Sequence, residues 1–357
     1  MNRDVVDVIG LRREELEALL REMGEPAYRG RQLFQWVQHR RARDLDLMTD
    51  LSRSLRTALR ERVEIGRPEI VEFQRALDGT RKILFRLADN EEIESVLIPE
   101  EDRLTACIST QVGCPLACRF CLTGLMGIRR NLTAAEIVGE VLALQDRAAP
   151  DERVSHIVLM GMGEPLLNFA QVERALHILC DDFGVNLSPR HVTLSTAGHV
   201  PGIQKLAASD VGVNLAVSLS ATTDAVRDQI MPINRRWPLA VLLDACRSYP
   251  LPNRRRLTFE YVMLDGVNDT DADALRLPRL LRGIRAKVNL IPLNPGPDLP
   301  DRPSPRPRIA AFQRSLHDAG LTATIRESRG QDIAAACGML RVEREAGQPA
   351  VHSHAET

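Results

Sequence analysis

The stretch LTACISTQVGCPLACRFC, Leu104 to Cys121, carries four of the chain's seven cysteines, three of them within eight residues. It opens as an apolar β-type run, LTACIS (104 to 109), and closes as a loop with C-x3-C-x2-C spacing at Cys114, Cys118 and Cys121. Three thiolates this close in sequence can wrap one small inorganic group. A tetrahedral zinc site or an ordinary cubane takes four ligands, and no fourth Cys or His stands nearby. A [4Fe-4S] cluster held here would keep one iron open to a substrate. The alternatives are a zinc knuckle completed from a distance, or three unrelated buried cysteines.

Downstream of this loop, apolar runs alternate with helical patterns. The runs are SHIVLM (155 to 160), HVTLS (191 to 195), NLAVSL (214 to 219), LTFEYVML (257 to 264) and KVNLIPL (287 to 293). Helical periodicity falls near 133 to 147, 169 to 181, 201 to 208, 224 to 230, 238 to 248, 271 to 284 and 307 to 319. Continuous apolar strands separated by helices imply a parallel sheet covered by helices, and six such units suit an α/β partial barrel with chemistry on the loops after the strands. A short strand, TATIR (322 to 326), precedes Cys337. Upstream, residues 11 to 62 read as a small helical unit. Three β-type runs follow it (68 to 77, 81 to 87 and 93 to 98), joined by turns at Asp78-Gly79 and Asp89-Asn90. The expected organisation is a helical accessory domain over 1–64, a β extension over 65–103, a core over 104–342 and a disordered tail over 343–357.

Composition bounds the function. The chain of 357 residues is 44% hydrophobic and 27% charged, has no apolar run of membrane-spanning length, and begins with an amphipathic helical pattern rather than a secretion signal. A cytoplasmic protein without a membrane partner is expected. An odd number of cysteines there favours metal binding or catalysis over a disulfide framework. A net charge of −1 speaks against a uniformly basic nucleic-acid binder, yet charge is clustered. Arg29 to Arg62 hold nine arginines against four acids, and Arg254, Arg255 and Arg256 form a second knot. Each cluster is either an RNA-binding face or a solvated helix face.

Several strands end in small or polar residues on the side expected to carry the site. Gly161-Met-Gly163-Glu164-Pro165 follows the second strand, where the glycines permit close backbone approach and Glu164 offers a carboxylate to an ammonium group. Ser195 ends the third strand, Ser218 to Ser220 the fourth and Asn294 the sixth. Each alone could be a strand cap or a plain turn.

The motifs CISTQVGCPLACRFC, MGMGEPLLN, VTLSTAG, MPINRR, FEYVMLDGVND, LIPLNP and RGQDIAAACG, in this order over residues 3 to 342, together resemble the RlmN/Cfr family of adenine-methylating radical S-adenosylmethionine (SAM) enzymes, and the RlmN branch most. The resemblance implies a TIM-like partial (β/α)6 radical SAM barrel with an N-terminal accessory domain. It implies a [4Fe-4S] cluster, two SAM per turnover and an electron donor such as flavodoxin. The implied substrate is an adenine in the peptidyl-transferase region of 23S rRNA, with adenine 37 of tRNA a further one, and a monomer is expected. Methylation of carbon 2 is implied, Cfr-like methylation of carbon 8 or a radical SAM enzyme of another substrate class being the alternatives.

By the same resemblance, Cys114, Cys118 and Cys121 hold the cluster, and Gly163, Glu164, Ser195, Ser218, Leu219, Ser220 and Asn294 contact SAM. Cys337 carries the methyl group, Cys107 resolves the covalent intermediate and Glu94 is the base. The chain departs from the family at Ser220, where the pattern has His or Asn. Taken by its neighbours alone, each of Cys107 and Cys337 reads as a small buried hydrophobe.

Overall fold

The computed structural model of the chain describes residues 5–296 and 298–340. The expected disordered tail lies outside them. Fourteen strands and eleven α-helices are described. The strands are β1 (Val6–Asp7), β2 (Val63–Glu64), β3 (Glu69–Arg75), β4 (Arg81–Arg86), β5 (Glu92–Glu100), β6 (Arg103–Cys107), β7 (Gln111–Gly113) and β8 (Ile128–Asn131). They continue as β9 (Val154–Leu159), β10 (Val192–Thr196), β11 (Asn214–Ser218), β12 (Leu257–Met263), β13 (Ala286–Pro292) and β14 (Ala323–Ile325). The helices are α1 (Arg13–Glu22), α2 (Tyr28–Phe34), α3 (Arg53–Arg60), α4 (Leu122–Leu125), α5 (Ala134–Asp146), α6 (Phe169–Cys180) and α7 (Val200–Ala208). They continue as α8 (Asp224–Ile230), α9 (Leu239–Arg247), α10 (Asp271–Leu280) and α11 (Arg306–Asp318).

One ten-stranded sheet organises the molecule, in the order β14-β13-β12-β11-β10-β9-β6-β5-β4-β3. From β6 to β14 the strands are parallel, each reached through a helical crossover, whereas β3 to β6 are an antiparallel meander. The mixed sheet with its helical cover agrees with the expected α/β partial barrel. The three strands read as an extension are hydrogen-bonded directly onto the first barrel strand, Val96 pairing with Cys107. Alternation decides their placement: Ile83 and Phe85 are fully buried while Lys82 and Leu84 between them are not. Asn90 and Gly79 take the positive φ their turns require, 65° and 83°.

The sequence reading missed two small pairings. β1 lies parallel to β2, tying the ends of the N-terminal unit together. β7 pairs antiparallel with β8, so the cysteine loop and α4 are carried between the two strands of a short hairpin that follows the first barrel strand. The helix expected over 271 to 284 ends at Leu280, because the chain turns at Gly283 with φ 82°.

The N-terminal helices pack on α5 and α6. A Cβ at Gly10 would stand 2.9 Å from the Cβ of Ala135. Arg174 donates to Glu15 at 2.6 Å and Arg41 to Asp146 at 2.8 Å. Buried residues from Val8 to Leu340 belong to one contiguous apolar cluster that spans both the helical unit and the barrel. Among the described residues no helix is long and apolar enough to cross a membrane.

The segment after β14 runs as a strap from one edge of the sheet to the β3–β4 turn near the other. Asp78 accepts from the Gly330 amide and Asp332 from the Leu77 amide, both at 3.0 Å. Further along, the Gly338 carbonyl accepts from the Leu122 amide at 2.8 Å, and Leu340 from the Thr123 hydroxyl. Cys337 is thus held on both sides.

Candidate active site

Two cavities meet at Cys337. The upper one, of about 150 Å³, lies at the C-terminal ends of the parallel strands, where loop side chains converge as expected for such a sheet. Its wall includes Cys114, Cys118 and Cys121, together with Gly163, Glu164, Ser195, Ser218, Asn294 and Cys337. The cysteine loop is folded by its backbone. The Cys114 amide donates to Gly127, the Cys121 amide to Cys118 and the Arg119 amide to Ile230, at 2.9 to 3.1 Å. Gly113 needs its hydrogen, since a Cβ there would stand 1.9 Å from the Gly127 carbonyl.

Burial pushes the Cys114 thiol up to about 12, and burial and then the neighbouring sulfurs push Cys118 up strongly. Burial raises Cys121 as well. Left alone these are neutral thiols, and a coordinated metal centre would deprotonate them outright. Among the described residues no three His, Cys, Asp or Glu side chains are grouped around a single-ion position. The three sulfurs are spread along a cavity wall instead, and the fourth cysteine on that wall, Cys337, comes from the distant strap rather than from the cysteine loop. This donor set suits a polynuclear cluster with an open iron rather than a closed zinc site, whose ligands crowd to about 2.3 Å from one ion.

Glu164 stands opposite the thiols and is 2% exposed. Its Oε2 accepts from the Ala197 amide at 2.8 Å and its Oε1 from the Leu166 amide at 3.1 Å. Burial pushes its carboxyl up to about 7 despite these bonds. With the Thr196 side chain also bonded to it, the carboxylate keeps about one of its roughly four acceptor positions for an ammonium group. Gly163 reaches this position with φ 105°, where a Cβ would lie 2.6 Å from that of Gln111. Ser195, Ser218 and Asn294 also face the cavity, so the wall offers the groups that SAM would need.

Leu219 and Ser220 line neither cavity. The pleat turns Leu219 into the core, and Ser220, at φ 50°, accepts from the Val262 amide through its hydroxyl at 3.3 Å. A contact from either to SAM would have to come from its backbone. Arg227, fully buried, was missed by the sequence reading and carries no motif signal. It donates to the carbonyls of Ala197, Ser218 and Leu219 and to Asn234 Oδ1 at 2.8 to 3.0 Å, fixing the ends of β10 and β11.

The lower cavity, of about 440 Å³, occupies the barrel lumen beneath Cys337. Cys107 and Cys337, 230 residues apart in sequence, both line it, and the Asn294 amide holds the Cys337 carbonyl at 3.0 Å. Burial and then Cys337 push the Cys107 thiol up, while Arg326 opposes them. Glu94 lies on the Cys107 face of the sheet but on neither cavity wall, its carboxylate paired with Lys82 at 3.0 Å. Cys246 is buried in the core and Cys180 packs against it.

Family models match two segments. Residues 6–65 match the ribosomal RNA large subunit methyltransferase N-terminal domain and residues 108–277 the radical SAM superfamily. The chain is 51% identical to a dual-specificity RNA methyltransferase RlmN of Rhodospirillum rubrum, over 97% of this chain and 83% of that protein. It is 53% identical to the one of Geobacter sulfurreducens, over 97% and 94%. A crystal structure of a radical SAM methyltransferase from Sphaerobacter thermophilus superposes with a TM-score of 0.91 at 46% identity, covering 95% of this chain and all of that one. With half of its residues shared over nearly its whole length, and with the open three-cysteine site in place, this chain belongs to the RlmN family of radical SAM RNA methyltransferases.

Proposed function

We propose that the chain methylates carbon 2 of an adenine in 23S rRNA and in tRNA, the methyl group passing through Cys337. The observation that carries this reading is the position of Cys337, the one cysteine common to the cluster-side cavity and the lumen, with Cys107 beside it in the lumen. When bound, a [4Fe-4S] cluster on Cys114, Cys118 and Cys121 and SAM against Glu164, Gly163, Ser195, Ser218 and Asn294 supply a transferable methyl group and a carbon radical. The dual-specificity name of the relatives supports both RNA classes.

Carbon 2 of adenine has neither a lone pair nor an acidic hydrogen, so polar methylation is closed to it. Cys337 therefore serves as carrier, joining its sulfur-borne carbon to the ring and tethering enzyme to RNA. Release takes a base for the ring proton and a second thiol: the Cys107 thiolate attacks the Cys337 sulfur, the carbon–sulfur bond breaks with its electron pair on the carbon, which takes a proton to become the methyl group, the odd electron brought by the carbon radical would pass back to a cluster held by the three loop cysteines, and a disulfide remains for later reduction. Glu94 is the candidate base, its carboxylate paired with Lys82. Leu219 and Ser220 contribute through the backbone.

Two substitutions test the roles. Cys337→Ala removes the carrier, so no covalent RNA adduct forms. Cys107→Ala leaves ring addition intact and blocks release, so the protein carries RNA through denaturing electrophoresis until ribonuclease removes it. An adduct in the Cys337 variant, or none in the Cys107 variant when Cys337 is found methylated, overturns the assignment. Mass spectrometry of the RNA product reads the ring position, and a methyl group on carbon 8 would refute the carbon 2 reading.

A further inference from the structure

The lumen of a closed barrel is ordinarily a packed core of branched apolar side chains. Here it is hollow, and beside apolar Val158, Ala216 and Ile291 its wall carries polar inward positions: Arg103 and Thr105 on β6, Thr258 and Glu260 on β12, Lys287 and Asn289 on β13. Its volume falls within the roughly 300 to 1,000 Å³ of small-molecule pockets, whereas the upper cavity is much smaller. Charge is distributed along its length. Arg103, Arg190 and Lys287 stand where β6, β10 and β13 begin, so they ring the N-terminal mouth, and Glu100 offsets only Arg103. Exposed Arg256 precedes β12 on the same rim and reaches Thr322, which puts the Arg254–Arg256 knot beside this mouth. Four residues of strand separate Arg103 from Cys107, about 13 Å of depth.

At the inner end stands Glu260, 6% exposed and on the wall of both cavities with Cys337. Among the described residues its Oε1 accepts no hydrogen bond, although the Arg326 guanidinium is ion-paired with that same oxygen at 3.7 Å. A buried carboxylate oxygen without a donor is a site for a ligand N–H. Enzymes that modify a base take it out of the stack and read its edge by hydrogen bonds.

We propose that the lumen is the pocket for the flipped adenosine, reached from the N-terminal face of the barrel, with Glu260 accepting from the exocyclic amine and the basic rim holding the flanking phosphates. The inference rests on the RNA-methylating reading above and adds to it a direction of approach and a base-reading residue. Donor and acceptor of the methyl group then meet Cys337 from opposite sides. An adenine amine suits an acceptor-only carboxylate, and a six-position carbonyl repels it.

The test compares a short RNA carrying the target adenosine with the same RNA carrying purine ribonucleoside, which lacks the amine, or inosine there. The unaltered enzyme should prefer adenosine in kcat/KM over both by roughly ten- to hundredfold, the scale of one charge-assisted hydrogen bond. Glu260→Ala should bring the adenosine-to-purine ratio close to one, and Glu260→Gln, able to donate to a carbonyl, should raise inosine relative to adenosine. A purely structural Glu260 would scale all three RNAs alike. Where a variant has no turnover, the ratio of Kd values for the three RNAs is read instead. Lys287→Gln and Arg190→Gln should each lower the salt slope of RNA binding by about one. Equal use of purine by the unaltered enzyme, ratios unmoved by Glu260→Ala, or unchanged salt slopes overturn the proposal. Failure of the unaltered enzyme to methylate the adenosine RNA counts instead against the reading on which it rests.

Discussion

Glu140 is buried on α5 with the Ser95 hydroxyl and the Ser109 amide both donating to Oε2, while among the described residues the buried Oε1 has no hydrogen-bond partner. Burial pushes its carboxyl up to about 8 from the ordinary 4.5. Between those values the folded protein binds a proton that the unfolded chain has released. The stability tied to that proton is full below the unfolded pKa and drains as pH rises through the folded one, at about 1.4 kcal/mol per pH unit. Glu140→Gln should therefore hold its urea midpoint from pH 5 to pH 8.5 better than the parent protein, and parallel profiles would refute the assignment. Nothing in LTAAEIVGEVLAL marks this glutamate as buried, because its apolar neighbours fit either face of the helix. The gathering of Cys114, Cys118 and Cys121 on one cavity wall was legible because their spacing is local. Glu260 and Arg326 were not, since they come together at 3.7 Å only in the folded barrel, and the motif that marks Leu219 and Ser220 says nothing of the side-chain directions that keep both off the cavity walls.

Most elements were readable from periodicity and turn chemistry, from the 3.6-residue repeat of α5 to the Asp78-Gly79 turn. The short β1–β2 and β7–β8 pairings escaped because two to four residues carry no measurable alternation. Close helix contact was also invisible in sequence. A Cβ at Gly30 would stand 2.5 Å from the Glu17 backbone, so α1 and α2 touch through bare main chain. Gly30→Ala should push them apart and cost about 1–3 kcal/mol, checked by chemical unfolding. The strap offers a second test at this scale. Asp78→Ala removes an acceptor of the Gly330 amide and should lower methyl loading of Cys337, read by peptide mass, while iron content stays unchanged. Equal loss of iron would mean that the turn supports the cluster loop as well.

For the molecule as a whole, charge counting along the chain overstated the N-terminal cluster. Asp146, about a hundred residues downstream, takes both Arg41 and Arg43, and Asp46 takes Arg56 and Arg60. Arg40 lies over the Trp36 ring and Arg31 over Phe183. We propose the N-terminal unit as an RNA-binding domain nonetheless, and the structure narrows the test. Neutralising Arg53 and Arg62 should flatten the salt dependence of RNA affinity by about one slope unit each, whereas neutralising Arg41 and Arg43 should chiefly loosen the contact with α5 and lower the melting temperature. An unchanged salt slope in the first pair would remove this face from the RNA footprint.

The strap also bears on the order in which the molecule assembles. Its two anchors join residues more than 250 positions apart, Leu77 with Asp332 and Asp78 with Gly330. During synthesis the hairpin, the cysteine loop and every parallel strand leave the ribosome before the strap does. Contacts of such sequence separation come late in folding, and weakly buried ones are the first to open again. The nascent protein thus passes through a stage in which Cys114, Cys118 and Cys121 are in place while the side of the barrel is still uncovered, and the Cys337 sulfur arrives last, as the latch on a vessel. Amide exchange should find Gly330 and Leu77 opening together and ahead of the strands they bridge.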